Sequence, residues 1–544
     1  MAVEPSGRLE LTWTNKHLRL LADEDGGYTW VPPSDYRVAE VRLLHDADEV
    51  GETHGPRSRA KDNLLVQGDA LHALTSLCEL PEFASEYVGK VKLAYLDPPF
   101  NTQQAFAHYD DALEHSVWLT MMRDRLLQIR KLLAPNGSVW VHCDDSEQAY
   151  LKVMMDEVFG RGNFVGTVVW ERTDIPAMAA EGFSARHDYL LVHGRGQVTR
   201  LNGLNAGQSE AAHFDKVDEG GRRYCNRTLR KTGPGSARAD RPSMWYAMMA
   251  PSGAEVFPIR ADGTEGRWRW GRDRYEAERA EIDWLEVRGR LQPYYRIYAD
   301  GEAMRPPDTV WLYRDVGSNR TAKSELRRLF PGVAPFTTPK PERLLERIVH
   351  IASNPGDVVL DCFAGSGTTA AVAQKLGRRW IAVESSRDTV STFTQPRLEK
   401  VVAGADEGGI TKDTGWEGGG GFRVLEVGPS MFAESGGRVW LAEWAADGSL
   451  GEATAAQLGF GYEPEPPFAG RKGRTRLAVV DGLVNPDVAR LLVGALAPEE
   501  KLVLCGTAID PDVTQALREL RPGSRARKIP ASILAEYRIG LEWR

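Results

Sequence analysis

Residues 358–370 read VVLDCFAGSGTTA, and this stretch decides the fold. An apolar run ends in a carboxylate, Asp361. A glycine-containing turn follows, and Thr368 to Leu376 has helical spacing. Gly365 and Gly367 have no Cβ, so the backbone there can lie close to a bound nucleotide. The chain returns as a second apolar strand, Trp380 to Glu384, which ends in an acid nineteen residues after Gly365. In nucleotide-binding βαβ units a carboxylate at that place hydrogen-bonds ribose hydroxyls. A P-loop is excluded, because no Lys-Ser/Thr pair follows the glycines to meet phosphates. The dinucleotide fingerprint GxGxxG is also absent. A glycine-rich turn also occurs as a plain tight connection, so both readings stay open for the turn alone.

Upstream, residues 93–101 read LAYLDPPFN. The strand Val91 to Leu96 delivers Asp97, two prolines and Phe100 to its C-terminal end, where open α/β sheets bind ligands. Pro98 and Pro99 fix a rigid turn and remove two amide donors. Asp97 and carbonyl oxygens remain as acceptors, and Phe100 offers a flat apolar face. That set suits an amino group on a planar ring. The alternative for the tetrapeptide is a proline-rich strand exit with an exposed acid.

Around these motifs strands alternate with helices. Strands are expected at Asn63–Val66, Ser138–His142 and Phe164–Trp170. Helices are expected from Asp69 through Leu77, over 117–133, over 150–159 and over 341–352. The alternation implies a parallel α/β architecture, in halves over 61–200 and 331–403. Residues 1–60 mix charge, tryptophan and proline and read as an N-terminal arm. Residues 404–421, GADEGGITKDTGWEGGGG, read as a linker. Residues 422–544 read as a further α/β unit with strands at Leu477–Val480 and Lys501–Leu504.

Residues 201–330 break the rhythm and read as an insertion. Between Glu219 and Arg241 there are seven basic residues and two acids, with Arg222, Arg223, Arg227, Arg230 and Lys231 among the bases. Together with Trp245, Tyr246, Trp268, Trp270, Tyr294 and Tyr295 they suit contacts to phosphates and base edges. A solvated region whose aromatics form a small core is the alternative.

Composition sets outer limits. The 544 residues are 42% hydrophobic and 26% charged, with 68 basic and 76 acidic side chains and a net charge of -8. This excludes a uniformly basic nucleic-acid coat but not a local basic cleft. No apolar run reaches the ~18 residues of a membrane helix, and the start lacks the features of a secretory signal. The five cysteines, Cys78, Cys143, Cys225, Cys362 and Cys505, form no CxxC pair. No metal site is expected, and a reducing cytoplasm is.

These motifs together resemble those of amino-group DNA methyltransferases, which use S-adenosylmethionine. DPPF matches their (D/N/S)PP(Y/F) signature and DCFAGSGTT their cofactor turn. The catalytic motif comes first, as in the β class. NLLVQGDALHAL, DPPFNT, HCDDSEQAYLKVMMDEVFG, TPKPERLLERI and GFRVLEV resemble segments of the modification (Mod) subunit of type III restriction-modification systems. The resemblance covers about residues 10 to 425. It implies a Rossmann-like methyltransferase sheet with an inserted target-recognition region. It places Asp361, Phe363, Gly365, Gly367 and Glu384 on the cofactor, with Lys340 near its methionine moiety. Asp69 would contact the adenine of the cofactor or serve as a plain helix cap. Asp97, Pro98, Pro99 and Phe100 would form the target-base site. The implied reaction is N6 methylation of a flipped adenine in double-stranded DNA. N4-cytosine methylation is the rival, although those enzymes more often carry Ser where this chain has Asp97. A homodimer and a nuclease-helicase restriction subunit are the implied partners. A rival role is a DNA-reading subunit that recruits that partner. The chain is short for the subunit family, and the C-terminal unit beyond the resemblance carries no motif that points to a role.

Overall fold

The computed structural model describes residues 10–22, 28–101, 114–176, 183–196, 201–205, 216–287, 289–298, 304–334, 336–446 and 448–539. The first nine residues of the expected arm and Thr102 of DPPFNT lie outside the described residues. The chain forms two units, one of residues 1–202 with 308–544, the other of residues 203–307.

The first unit is built on a ten-stranded sheet. Its strands are β1 (Leu44–Gly51), β2 (Asn63–Gln67), β3 (Val91–Leu96), β4 (Leu133–Cys143), β5 (Phe164–Glu171), β6 (His187–Gly194), β7 (Val310–Trp311), β8 (Val358–Asp361), β9 (Arg379–Glu384) and β10 (Gly421–Val427). Their order is β7-β5-β6-β4-β3-β8-β9-β2-β10-β1. From β4 to β10 the pairing is parallel throughout. β2, β3, β8 and β9 are nearly continuous apolar runs, as strands covered on both faces must be. The helices used below are α1 (Ala70–Glu79), α2 (His115–Leu132), α3 (Gln148–Phe159), α4 (Asn319–Leu329), α5 (Glu342–Ala352), α6 (Thr368–Lys375) and α7 (Gln395–Val402).

One adjacency positions the site. β3 and β8 are far apart in sequence, yet they pair side by side, with Val359 opposite Leu93 and Leu360 opposite Ala94. From β3 the chain builds the sheet in one direction, through β4. From β8 it builds in the other, through β9. The carboxyl ends of β3 and β8 therefore open on a topological switch point, where ligands bind in open α/β sheets.

Four boundaries differ from the sequence expectation. Residues 44–51 are not part of a separate arm; they form β1, antiparallel to β10 at the sheet edge. Their polar sequence, LHDADEVG, hid a strand, as charged edge strands do. Residues 404–421 are not a free linker. Ile410 is fully buried and Asp406 forms an ion pair with buried Lys375. Gly421 to Val427 belong to the main sheet between β2 and β1, so the C-terminal region begins after them. Residues 308–330 also belong with the first unit, as β7 and α4.

The C-terminal region carries a five-stranded sheet in the order 461–465, 468–472, 475–484, 501–509, 525–528. Leu477, Val503 and Cys505 from it share one apolar core with Leu64, Val66 and Leu425 of the main sheet. No described helix is long and apolar enough to cross a membrane.

The second unit has a four-stranded antiparallel sheet in the order 216–217, 223–228, 290–298, 282–287. Tyr246, Trp268 and Trp270 are buried in its core with Leu229, Met248 and Ile282. These aromatics hold the unit together and are not displayed to a ligand.

The buried carboxyls give the fold a pH signature. Burial pushes Glu40, Glu325 and Asp361 up to about 7. Between about pH 4 and 7 the folded chain then binds more protons than the unfolded chain, so these groups make stability fall as pH rises. Asp188 has the opposite sign. Its burial is outweighed by His142 and Arg172, which hold it below the usual carboxylate value, so its contribution is lost as pH falls. Maximal stability is expected near pH 5, read as the urea midpoint from pH 4 to 8. A midpoint that climbs steadily from pH 5 to 8 contradicts this.

Candidate active site

The carboxyl ends of β3, β8 and β9 surround a cavity of about 660 Å³. That is within the usual range for small-molecule sites. Asp69, Asp97, Pro98, Pro99, Phe100, Lys340, Asp361, Phe363, Gly365 and Glu384 line it together. Gly367 stands one step back as the N-terminal cap of α6, with φ at 77°, and a Cβ there would lie 3.2 Å from Thr394 Cγ2.

Asp97 leaves the end of β3 and meets Lys340 from the segment before α5. Lys340 Nζ donates to Asp97 Oδ2 at 2.5 Å. Asp97 Oδ1 is buried and has no hydrogen-bond partner among the described residues. A buried acceptor without a donor is costly unless a ligand meets it. The Pro99 carbonyl accepts from the Trp118 indole at 2.7 Å. No described residue donates to the neighbouring Pro98 carbonyl.

Phe100 is held as a platform. The fully buried His142 ring stacks on it at 5.4 Å and 28°. His142 is fixed by the Tyr95 hydroxyl at Nδ1 (3.1 Å) and by Asp188 at Nε2 (3.3 Å). Lys340 Nζ lies 5.3 Å from the Phe100 centroid. His142 was not among the site residues expected from sequence. Its role under Phe100 comes from β4 lying next to β3, which no local pattern announces.

The glycine-rich turn is held by the two strand-end acids. Asp361 Oδ1 accepts from the Phe363 amide at 2.9 Å, and its Oδ2 accepts from the Thr369 hydroxyl at 2.5 Å. Glu384 Oε2 accepts from the Gly365 amide at 2.8 Å, and Oε1 from the Ser386 amide at 2.9 Å. Gly365 has φ at 49°, and a Cβ there would lie 3.3 Å from the Phe336 ring. Gly365→Ala is expected to push that ring into the cavity and weaken cofactor binding by about tenfold, equivalent to about 1.4 kcal/mol. Titration calorimetry with S-adenosylmethionine reads this, and unchanged affinity rejects it.

Asp69 caps α1, accepting from the amides of Leu71 and His72, and its other oxygen accepts from Arg125 at 2.8 Å. The helix-cap reading is thus observed. The Arg125 guanidinium also lies 5.9 Å from the Phe363 ring. Arg125 was not anticipated, since a single arginine in an amphipathic helix carries no sequence signal.

The five basic residues of the second unit do not act alike. Arg222 pairs with Asp218 at 2.9 Å and covers the Tyr298 ring. Arg223 and Arg227 are exposed and share one face of strand 223–228 by its two-residue alternation. Arg230 and Lys231 are half-buried, and Arg230 Nε is buried.

The residues fit a nucleoside cofactor beside an amine-bearing ring. Strand-end acids flank a turn that a Cβ would crowd, and an unmatched acceptor sits next to a stacking platform. Fold and cavity together define an α/β protein with a small-molecule-sized cavity at a topological switch point. Residues 91–395 match the family model described as DNA methylase (N6_N4_Mtase), more than half of the chain, and the chain belongs to that family. It is 30% identical over 419 residues to the "Probable type III restriction-modification enzyme HindVI Mod subunit" of Haemophilus influenzae, covering 68% of this chain and 54% of that protein. It is 30% identical over 328 residues to "Type II methyltransferase M.KpnI" of Klebsiella pneumoniae, covering 56% of this chain and 77% of that one. The chain thus spans about half the length of the Haemophilus protein. Among solved structures, the "PVUII DNA METHYLTRANSFERASE (CYTOSINE-N4-SPECIFIC)" matches at 15% identity and a TM-score of 0.35, over 65% of this chain and 90% of that one.

Proposed function

We propose that this chain is a DNA methyltransferase that moves a methyl group from S-adenosylmethionine to the N6 amino group of a flipped adenine. We place it as the modification subunit of a restriction-modification or related defence system. Its substrate is double-stranded DNA, and its partners are a second copy and a nuclease-helicase subunit. The observation that carries this reading is the divided Asp97 carboxylate. Lys340 holds Oδ2, while buried Oδ1 has no donor among the described residues. An exocyclic amine supplies the missing donor.

The cofactor supplies a methyl group already activated on a sulfonium. Asp361, Phe363, Gly365 and Glu384 would hold it, with Asp69 at the cap of α1 and Lys340 nearby. The protein's task is alignment. A base within a duplex cannot reach a recessed cavity, so the target is turned out of the helix. Phe100, braced by His142, gives the ring a face to stack on. Asp97 Oδ1 and the Pro98 carbonyl accept from the amine. That draws its hydrogens to one side and frees the nitrogen lone pair from the ring. After transfer, Asp97 is the group placed to accept the surplus proton.

An amino group on cytosine fits the same acceptors, and the family includes enzymes for both amines by its name. Asp at position 97 supports adenine. The test is modification-sensitive long-read sequencing of DNA from a methylation-free host expressing the chain. N6-methyladenine in one motif supports the reading. N4-methylcytosine replaces the base assignment, and unmodified DNA counts against catalysis by this chain alone.

A further inference from the structure

We propose that helix α4 is a phosphate-binding rail that carries the DNA strand past the mouth of the cavity. The inference rests on the DNA-modifying reading above and adds a binding surface to it. By sequence this segment falls in the insertion, whereas it folds with the first unit. Asn319, the first residue of α4, itself lines the cavity, as does Arg172. The helix is pinned there. Its cap Ser318 accepts from the Thr321 amide, and the Asn319 amide donates to the Arg172 carbonyl at 3.0 Å.

The two sides of α4 differ sharply. Ala322 and Leu326 are buried, and the Glu325 carboxyl on that side is pushed up to about 7 by burial and by Glu342. Arg320, Lys323 and Arg327 recur at the i, i+3, i+7 spacing that makes one stripe, and Arg328 flanks it. The short helix just before, 313–316, adds Arg314. Two acids pair with this surface among the described residues. Asp174 lies 3.5 Å from Arg320, and Asp315 lies 3.9 Å from Arg314. Lys323, Arg327 and Arg328 have no acidic partner among the described residues.

A charged outer face is ordinary on a surface helix, but a one-signed face is not. Here only two of five bases are paired with an acid among the described residues, in a chain whose acids outnumber its bases. From Arg320 to Arg327 the helix advances about 10 Å at 1.5 Å per residue. That is roughly three nucleotides at 3.4 Å each along one strand. The stripe therefore spans the phosphates next to a base delivered into the cavity beside Asn319. These contacts are independent of sequence and would set register for the flipped nucleotide.

The test compares the triple variant Arg320→Gln, Lys323→Gln, Arg327→Gln with a control, Lys472→Gln, Arg474→Gln, Arg490→Gln, in the C-terminal region. Duplex affinity is measured across salt concentrations, and KM for DNA with kcat on the same duplex. The slope of log affinity against log salt is expected to shrink by about 2–3 in the triple variant, near 0.9 per lost phosphate contact. KM should rise at least about tenfold, well beyond any change in kcat, while the control keeps the wild-type slope. A triple variant with the wild-type slope overturns the rail, as does a control that loses as much. A wild-type chain with no salt-dependent duplex binding overturns the DNA reading itself. Wild-type binding without methylation leaves the rail standing and removes only the catalytic reading.

Discussion

Replacing Asp97 with Asn is expected to lower methyl transfer by about 10³-fold or more, within the range supplied by a positioned proton-accepting group. The side chain keeps its shape, but it can no longer present acceptors on both sides. Either its oxygen meets Lys340 and its amide turns two donors toward the incoming amine, or the reverse leaves Lys340 facing donors. Asp97→Ala should lose as much activity and also leave the buried Lys340 ammonium without an acid partner among the described residues. The alanine variant is therefore expected to be the less stable of the two. Affinity for S-adenosylmethionine should stay within about threefold in the Asn variant, because Asp361, Gly365 and Glu384 are untouched. The measurements are single-turnover methylation and calorimetric cofactor binding on the same preparation. A wild-type rate in the Asn variant ends the assignment of Asp97. A parallel collapse of cofactor affinity moves the residue from the target site to the cofactor site.

Replacing Glu342 with Ala is expected to destabilise the first unit by about 3–5 kcal/mol, the usual effect of removing one partner from a buried ionic group. Glu342 is a hub. Its Oε1 accepts from Lys375 at 2.9 Å and Arg397 at 2.8 Å, and its Oε2 accepts from Lys375 at 2.8 Å and the Ile410 amide at 3.0 Å. Lys375 also reaches Asp406 at 2.7 Å. Both cations are buried, so without Glu342 the Arg397 guanidinium has no acid partner among the described residues. Arg397 further donates to the Thr368 hydroxyl at 2.8 Å and the Ser366 carbonyl at 3.3 Å. The cluster therefore ties the cofactor turn to the segment that carries Lys340, so weaker cofactor binding should accompany the lost stability. Pairing Glu342→Ala with Arg397→Met removes one charge of each sign and should recover at least about 1 kcal/mol of the loss, a coupling typical of residues in one network. Urea denaturation of the single and double variants decides it. Strictly additive losses would falsify the hub.

Asp97→Asn and Glu342→Ala probe opposite kinds of information. Asp97 was legible in sequence because Pro98, Pro99 and Phe100 follow it at the end of an apolar strand. The chemistry needs them contiguous. Glu342 was not legible. It sits in an ordinary amphipathic helix, and its partners come from α6, α7 and the 404–421 segment, which reads as a flexible linker by composition.

The sequence by itself determined the parallel α/β class, most strand and helix positions in the first unit, and the two turns that become walls of the cavity. Those features depend on neighbours in the chain: apolar runs, proline-locked turns and glycines without Cβ. The tertiary structure alone decided that β3 and β8 pair, so that Lys340 meets Asp97 across a sequence separation of 243. It decided that His142 braces Phe100 and that β10 and β1 complete the sheet. It also decided that Tyr246, Trp268 and Trp270 form a core in the second unit. Each of these depends on which surfaces meet after the chain has folded. Burial and ion pairing are properties of that meeting, and no local pattern of residue types encodes them.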